Sequence, residues 1–134
     1  MRLHSNDQPF KLDSSTTPRT EMRILNDYYT GLHSIKFDLF VVSGTDGVSV
    51  MQIFGGDRSY NLNPQSSAAT SLQLRVYNGQ LMYYNNETLA YSILDRWLPV
   101  NVTHNANSGD IQIWVDGQLA LETKDRGTDK HYFK

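Results

Sequence analysis

The 134-residue sequence has no cysteine, which excludes disulfide bonds, a thiol nucleophile and thiolate-ligated zinc or iron–sulfur sites. It also lacks any run of 18 apolar residues, so no segment has the length of a membrane-spanning helix. Charged residues make up only 19% of the chain and the formal net charge is −2, which argues against a general nucleic-acid-binding protein. No apolar stretch follows the first residues, Met1 to Asp7, as a secretory signal would require.

The residues that are present favour one β-rich domain. The length allows a single domain with a hydrophobic core. The chain has eight Tyr and two Trp, which are common in strands, and many Ser, Thr and Asn, which are common in turns. No segment shows the 3.6-residue apolar periodicity of an amphipathic helix.

Alternation of apolar and polar residues predicts about nine strands at spacings of roughly 8–14 residues. In chain order the nine complete strands are Arg19–Ile24, Leu32–Val42, Val48–Phe54, Leu72–Tyr77, Gln80–Tyr84, Leu89–Leu94, Trp97–His104, Ile111–Val115 and Gln118–Leu121, and a further strand begins at Tyr132. Asn78-Gly79 and Asp116-Gly117 are typical of two-residue hairpin turns. Residues 1–17 are predicted to be irregular and residues 57–70 to form a polar loop. This pattern predicts an all-β sandwich or jelly roll.

One predicted strand carries three charged residues on a single face, namely Arg19, Glu21 and Arg23. Two interpretations are open. The face is either simply solvated, with Arg–Glu pairs, or it binds anions, because a guanidinium group matches a carboxylate with two hydrogen bonds. In the second interpretation Glu21 would hold both guanidinium groups in place. Gln52 lies in an otherwise apolar strand, and its amide is expected to face a groove or solvent.

Other sites of chemistry are not indicated by the sequence. The four histidines are His4, His33, His104 and His131, and no pair has a spacing typical of metal ligands, so neither a metal nor a cofactor is expected. No Gly-x-Ser-x-Gly or P-loop motif occurs.

Five segments in order resemble a known family: Pro18–Arg23, Met51–Gly56, Leu74–Gly79, Asp95–Trp97 and His131–Lys134. Together they resemble the plant citrate-binding-protein group, which is similar to the alginate lyase 2 family of jelly-roll polysaccharide lyases. The resemblance implies a concanavalin-like jelly roll over residues 18–134 whose concave sheet binds acidic sugar chains. It also implies a secreted, cell-wall or vacuolar protein, and a chain that is trimmed at both ends and lacks its last strand.

When the family's binding positions are matched to this sequence motif by motif, the resemblance implies ligand-binding positions on the Arg-x-Glu-x-Arg strand and its neighbours. These positions are Arg19, Glu21, Arg23, Gln52 and Lys134, with Phe54, Arg75 and Tyr77 as further groove positions. In the family's lyases a His occupies the position of Phe54, and a catalytic Tyr follows four residues after the position of Lys134. A phenyl ring cannot exchange a proton, so the resemblance implies retained carboxylate binding without the family's proton-transfer groups.

Three functions remain open at this stage. The first is a non-catalytic protein that binds an acidic oligosaccharide or a small polycarboxylate such as citrate. The second is an active polyuronate lyase in which Tyr77, Tyr83, Tyr84 or His33 replaces the missing groups. The third is a β-scaffold that binds no ligand. No nucleic-acid partner is expected, and the sequence does not predict an oligomeric state.

Overall fold

The computed structural model of the chain describes residues 6–9, 13, 18–55, 70–127 and 130–134. Within these ranges the protein consists of strands and turns. The strands are β1 (Leu32–Phe40), β2 (Val48–Phe54), β3 (Thr70–Tyr77), β4 (Gln80–Tyr83), β5 (Glu87–Ala90), β6 (Trp97–Asn105), β7 (Asp110–Val115), β8 (Gln118–Lys124) and β9 (Tyr132–Phe133). The described residues include no helix long and apolar enough to span a membrane.

The strands form two antiparallel sheets that share one hydrophobic core. One sheet has four strands in the order β1-β6-β7-β8, and the other has five in the order β5-β4-β3-β2-β9. Buried apolar side chains from both sheets, such as Ile53 and Leu74 from one and Val102 and Ile113 from the other, belong to a single cluster. The all-β sandwich predicted from the sequence is therefore confirmed.

Strict alternation along the strands decides which side chains enter this core. In β3, Leu72, Leu74 and Val76 are fully buried, whereas the residues between them are half-buried on the outer face. Because side chains in a strand point alternately to the two faces, this period of two separates core positions from candidate binding positions.

Both predicted hairpin turns are present. Asn78 and Gly79 have φ angles of 51° and 70° between β3 and β4, and Asp116 and Gly117 have φ angles of 50° and 78° between β7 and β8. Two consecutive positive φ values are the requirement of a type I′ turn, which asparagine, aspartate and glycine tolerate best. These turns fix the register of both hairpins.

Two predicted strands differ from the structure. The prediction of a strand over Arg19–Ile24 is wrong, because residues 18–27 form no regular ladder even though the Ile24 N–H donates to the carbonyl of Phe133 at 3.1 Å. The Asn26 N–H instead donates to the carbonyl of Ile24 at 2.9 Å, which turns the backbone locally. The strand predicted over Leu89–Leu94 lies earlier, at Glu87–Ala90. The loop predicted over residues 57–70 lies outside the described residues, apart from Thr70, which begins β3.

Gly55 marks a close approach of two backbone segments at the end of β2. Its φ angle is +114°, and a Cβ atom at this position would lie 2.1 Å from the carbonyl oxygen of Lys130. No side chain can be accommodated at that distance without a backbone shift. Glycine at this position therefore allows the chain before β9 to pass close to β2.

We expect Gly55→Ala to lower the free energy of unfolding by more than the matched change Gly44→Ala. Gly44 also has a positive φ angle, +88°, but a Cβ atom added there would have nothing within 4 Å of it. In both variants alanine must adopt a positive φ angle, which costs about 1–2 kcal/mol. Only Gly55→Ala adds a steric clash, which costs about 1–3 kcal/mol more. Chemical denaturation measures the difference, and equal losses would contradict the close approach.

Candidate functional site

The candidate site lies on the outer face of the five-stranded sheet, where β9 is placed between β2 and the edge segment (residues 18–27). Lys134 follows β9 and pairs with Gln52 of β2 through two backbone hydrogen bonds of 2.7 and 3.0 Å. Directly paired residues in an antiparallel ladder project to the same face of the sheet. The Gln52 and Lys134 side chains therefore share one surface, and the edge segment adds its own side chains beside them.

The first ionic group of the site joins Arg19, Glu21 and Lys134. Arg19 Nε lies 2.5 Å from Glu21 Oε1, and Lys134 Nζ lies 3.2 Å from Glu21 Oε2. Partial burial raises the pKa of the Glu21 carboxyl, but the hydrogen bonds from Arg19 and Lys134 outweigh it, so the pKa is lowered overall. Glu21 therefore stays ionised and holds two cations on the face.

The second ionic group joins Arg23, Asp27 and Lys130. The Arg23 guanidinium contacts both Asp27 carboxylate oxygens at 2.6 Å, and Lys130 Nζ lies 3.1 Å from Asp27 Oδ2. The hydrogen bonds from Arg23 and Lys130 lower the pKa of the Asp27 carboxyl. The expectation that Glu21 holds both arginines is thus wrong, since Asp27 holds Arg23 and Lys134 takes the second place at Glu21.

Two aromatic rings lie beneath these cations. The Arg23 Cζ atom is 4.0 Å from the centroid of the Tyr132 ring, and Lys134 Nζ is 4.6 Å from the centroid of the Phe54 ring. The centroids of the two rings are 5.1 Å apart. Attraction between a cation and an aromatic face contributes about 0.5–1 kcal/mol at exposed sites, so the rings help to position both cations.

The neighbouring strand β3 continues the same outer face. Gln73 pairs with Gln52 in the register of β2 and β3, and Arg75 and Tyr77 follow on the same side. Arg75 Nη2 donates to the carbonyl of Gly47 at 3.0 Å, and its Cζ lies 4.7 Å from the centroid of the Tyr77 ring. Arg75 and Tyr77 therefore contact each other on this face and belong to neither ionic group.

Three of the groups suggested as substitute proton donors or acceptors are engaged elsewhere. The Tyr84 hydroxyl donates to the carbonyl of Thr70 at 2.9 Å, and burial raises the pKa of Tyr84 to about 12. Tyr83 pairs with the inward-facing Leu74 and packs against the core. His33 stacks on Tyr28, with ring centroids 3.8 Å apart.

Tyr132, Asp27 and Lys130 were not identified from the sequence as part of the site. Tyr132 could have been identified, because it shares its strand parity with Lys134 and so projects to the same face. Asp27 and Lys130 could not, because their role depends on a contact between the edge segment and the chain just before β9.

A surface depression lies against the four-stranded sheet, away from the candidate site. It has a volume of about 580 Å³, and its lining includes Asp110, Glu122 and Lys124. Lys124 Nζ is already paired with Asp110 Oδ1 at 2.5 Å. The excess of carboxylates makes this cleft unsuitable for an anionic ligand, in contrast to the face around β9.

Comparison with proteins of known structure identifies a similar fold. The chain resembles the alginate lyase AlgAT5 of polysaccharide lyase family 7 with a TM-score of 0.52 and 20% identical residues. The match covers 77% of this chain and 45% of that chain. At this level of identity the likeness concerns the fold alone, and it agrees with a jelly-roll sandwich.

Sequence comparison identifies a more similar protein. The chain is 43% identical over 133 residues to the citrate-binding protein of Hevea brasiliensis, covering 98% of this chain and 52% of that protein. It therefore spans about half the length of this curated relative. The sequence model of the alginate lyase family, Alginate_lyase2, matches residues 1–134. The chain accordingly belongs to the alginate lyase 2 family.

Proposed function

We propose that the protein binds carboxylate ligands on the outer face of the five-stranded sheet and does not cleave them. The observation that carries the proposal is the charge balance of the two ionic groups. Among the described residues, four cations (Arg19, Arg23, Lys130 and Lys134) form these two groups with two carboxylates (Glu21 and Asp27), which is an excess of two positive charges within the groups. The face therefore attracts anions although the whole chain has a formal charge of −2.

The arginines on this face remain accessible to a ligand. The side chains of Arg19 and Arg23 are 52% and 43% exposed, and each guanidinium has further N–H groups beyond those used for Glu21 and Asp27. The planar guanidinium group can bind a carboxylate through two parallel hydrogen bonds. The Gln52 amide can add a neutral donor beside them.

The rings of Phe54 and Tyr132 lie beneath Lys134 and Arg23 and add a partly exposed apolar surface to the face. A sugar ring or the carbon chain of a small acid can pack on this surface while its carboxylates contact arginine or lysine. Both an acidic oligosaccharide and a small polycarboxylate have this combination of carboxylate and apolar surface. The Hevea brasiliensis relative bears the name of a citrate-binding protein, and the fold neighbour is an alginate lyase, so each ligand class has one precedent.

Phe54 supports binding in preference to cleavage. β-Elimination on a uronate requires neutralisation of the carboxylate, removal of the adjacent proton by a base and protonation of the leaving oxygen. The arginines, Gln52 and Lys134 supply the first requirement. Phe54 stands where the resemblance places the histidine of the lyases, and its ring can neither accept nor donate a proton.

We expect Arg23→Ala and Lys134→Ala to weaken binding of oligouronates or citrate, because each removes a charged contact to the ligand. Loss of one such contact costs about 1.5–3 kcal/mol, which corresponds to a roughly 10- to 150-fold increase in Kd. Isothermal titration calorimetry measures this change.

Arg96→Ala provides the matched control for these variants. Arg96 is a similarly exposed arginine, at 40%, paired with Asp116 at 3.1 Å beside the four-stranded sheet. Its removal changes the net charge by the same amount but should leave Kd unchanged. Equal weakening by Arg23→Ala and Arg96→Ala would show that only overall charge matters and would overturn the assignment of the site.

The alternative function is polyuronate lyase activity, and it is favoured by one observation. Among the described residues, Tyr77 and Tyr132 lie on the outer face of the five-stranded sheet, and the Tyr132 ring contacts Arg23. A tyrosine hydroxyl can act as a general acid or base. We nevertheless expect no activity, since Phe54 replaces the histidine of the lyases and Tyr77 contacts Arg75, which belongs to neither ionic group.

An ultraviolet assay tests this expectation, because elimination creates a conjugated double bond that absorbs. Absorbance should stay constant on alginate, glucuronan and pectate. A steady increase that is abolished by Tyr132→Phe and retained by the matched change Tyr29→Phe, at an exposed tyrosine in the segment leading to β1, would establish the lyase instead.

A further inference from the structure

The core contains a cluster of polar side chains that the carboxylate site does not use. Among the described residues, the buried polar side chains are Ser71, His104 and His131, and two of these three lie together. The imidazole rings of His104 and His131 meet edge to face, with centroids 4.7 Å apart. Asp125 completes the cluster with a side chain that is only 11% exposed.

Three nitrogen and oxygen atoms of this cluster converge on one point. Asp125 Oδ2 lies 3.0 Å from His104 Nε2 and 4.0 Å from His131 Nε2. One nitrogen or oxygen atom from each of the three residues lies within 4.8 Å of the other two. Bonds of 2.0–2.1 Å in a tetrahedral zinc site place ligand atoms about 3.3 Å apart. The observed separations lie on both sides of this value, so an approach of about 1 Å by His131 would form the three-ligand geometry.

The backbone around Asp125 fixes the direction of its carboxylate. The Gly127 N–H donates to Asp125 Oδ1 at 3.1 Å, and the Asp125 N–H donates to the carbonyl of Gly109 at 2.7 Å. A Cβ atom on Gly109 would lie 2.8 Å from Oδ1, so glycine at this position allows the approach without a shift of the carboxylate. With Oδ1 held in this way, Oδ2 is directed at the two histidines.

A further contact positions the ring of His104. Its Nδ1 atom is hydrogen-bonded to the buried hydroxyl of Tyr28 at 2.9 Å. Histidines that bind metals through one ring nitrogen usually have the other nitrogen hydrogen-bonded to a neighbouring group, which sets the tautomer and the orientation. Tyr28 meets this requirement for a metal at Nε2.

We propose that His104, Asp125 and His131 form a binding site for a divalent transition-metal ion, with Zn²⁺ as the best match. Two imidazoles and one carboxylate favour zinc and its neighbours over Mg²⁺ or Ca²⁺, which prefer oxygen ligands. Three protein ligands leave a fourth position for water, and the partial exposure of Asp125 gives the ion access from solvent.

Such an ion would connect the two sheets of the sandwich. His104 belongs to β6 and Asp125 follows β8, both of the four-stranded sheet, whereas His131 directly precedes β9 of the other sheet. A chain without cysteine has no disulfide to make this connection. The ion would also neutralise a carboxylate that is largely removed from water, which is otherwise costly.

The proposal is tested on the 134-residue chain, prepared without a histidine tag. Competition with a chromophoric chelator should show one tightly bound Zn²⁺ per chain, and Zn²⁺ should raise the melting temperature relative to a chelator-treated sample. Co²⁺ in place of Zn²⁺ should give the intense visible absorption of a four-coordinate ion. A weak, six-coordinate Co²⁺ spectrum or binding at no fixed stoichiometry would overturn the proposal.

Variants separate this site from adventitious binding by histidine. His131→Gln and Asp125→Asn should each weaken Zn²⁺ binding by more than about 100-fold, and Tyr28→Phe by about 10- to 100-fold. His33→Gln is the matched control, because His33 stacks on Tyr28 but bonds through Nε2 to the carbonyl of Thr30 at 2.8 Å. Equal affinity in all folded variants would contradict the site. If a variant does not fold, the Co²⁺ spectrum of the unaltered chain decides the question.

Discussion

The rest of the structure depends on the pairing of β9. This strand pairs with β2 on one side and with the edge segment and Tyr28 on the other. Backbone hydrogen bonds join Gln52 to Lys134 and Tyr28 to His131. Because side chains alternate, this short strand directs Tyr132 and Lys134 outward to the cationic face, and His131 and Phe133 inward to the core. This strand and the two residues that flank it thus contribute to both candidate sites.

The charge distribution explains how a chain with a small net negative charge can present a cationic face. Glu21 and Asp27 are each shared by two cations, so the carboxylates order the cations without neutralising all of them. The aromatic rings of Phe54 and Tyr132 hold the cations from below. Under the proposed function, a carboxylate would meet donors that are already positioned, which reduces the conformational entropy lost on binding.

Much of the fold followed from local patterns in the sequence, whereas the sites depend on contacts between distant segments. Asn78-Gly79 and Asp116-Gly117 determine their hairpins through their own φ preferences, so the strands beside them were predicted closely. The prediction of a strand at Arg19–Ile24 was wrong, because alternation of side chains alone does not supply a continuous neighbouring strand for the backbone to pair with. The spacing of His104 and His131 gave no sign of the proposed metal site. His104 and Asp125 come together within the four-stranded sheet, and only the packing of the second sheet brings His131 to them.

Binding of carboxylate ligands beside β9 is tested most directly by mapping backbone amide chemical shifts during titration with an oligouronate or citrate. We predict that the largest shifts occur in the edge segment, at Gln52 and Phe54 of β2, and at Tyr132 and Lys134. Shifts confined to β1, β6, β7 and β8 would contradict binding at this face, as would the absence of any saturable shift.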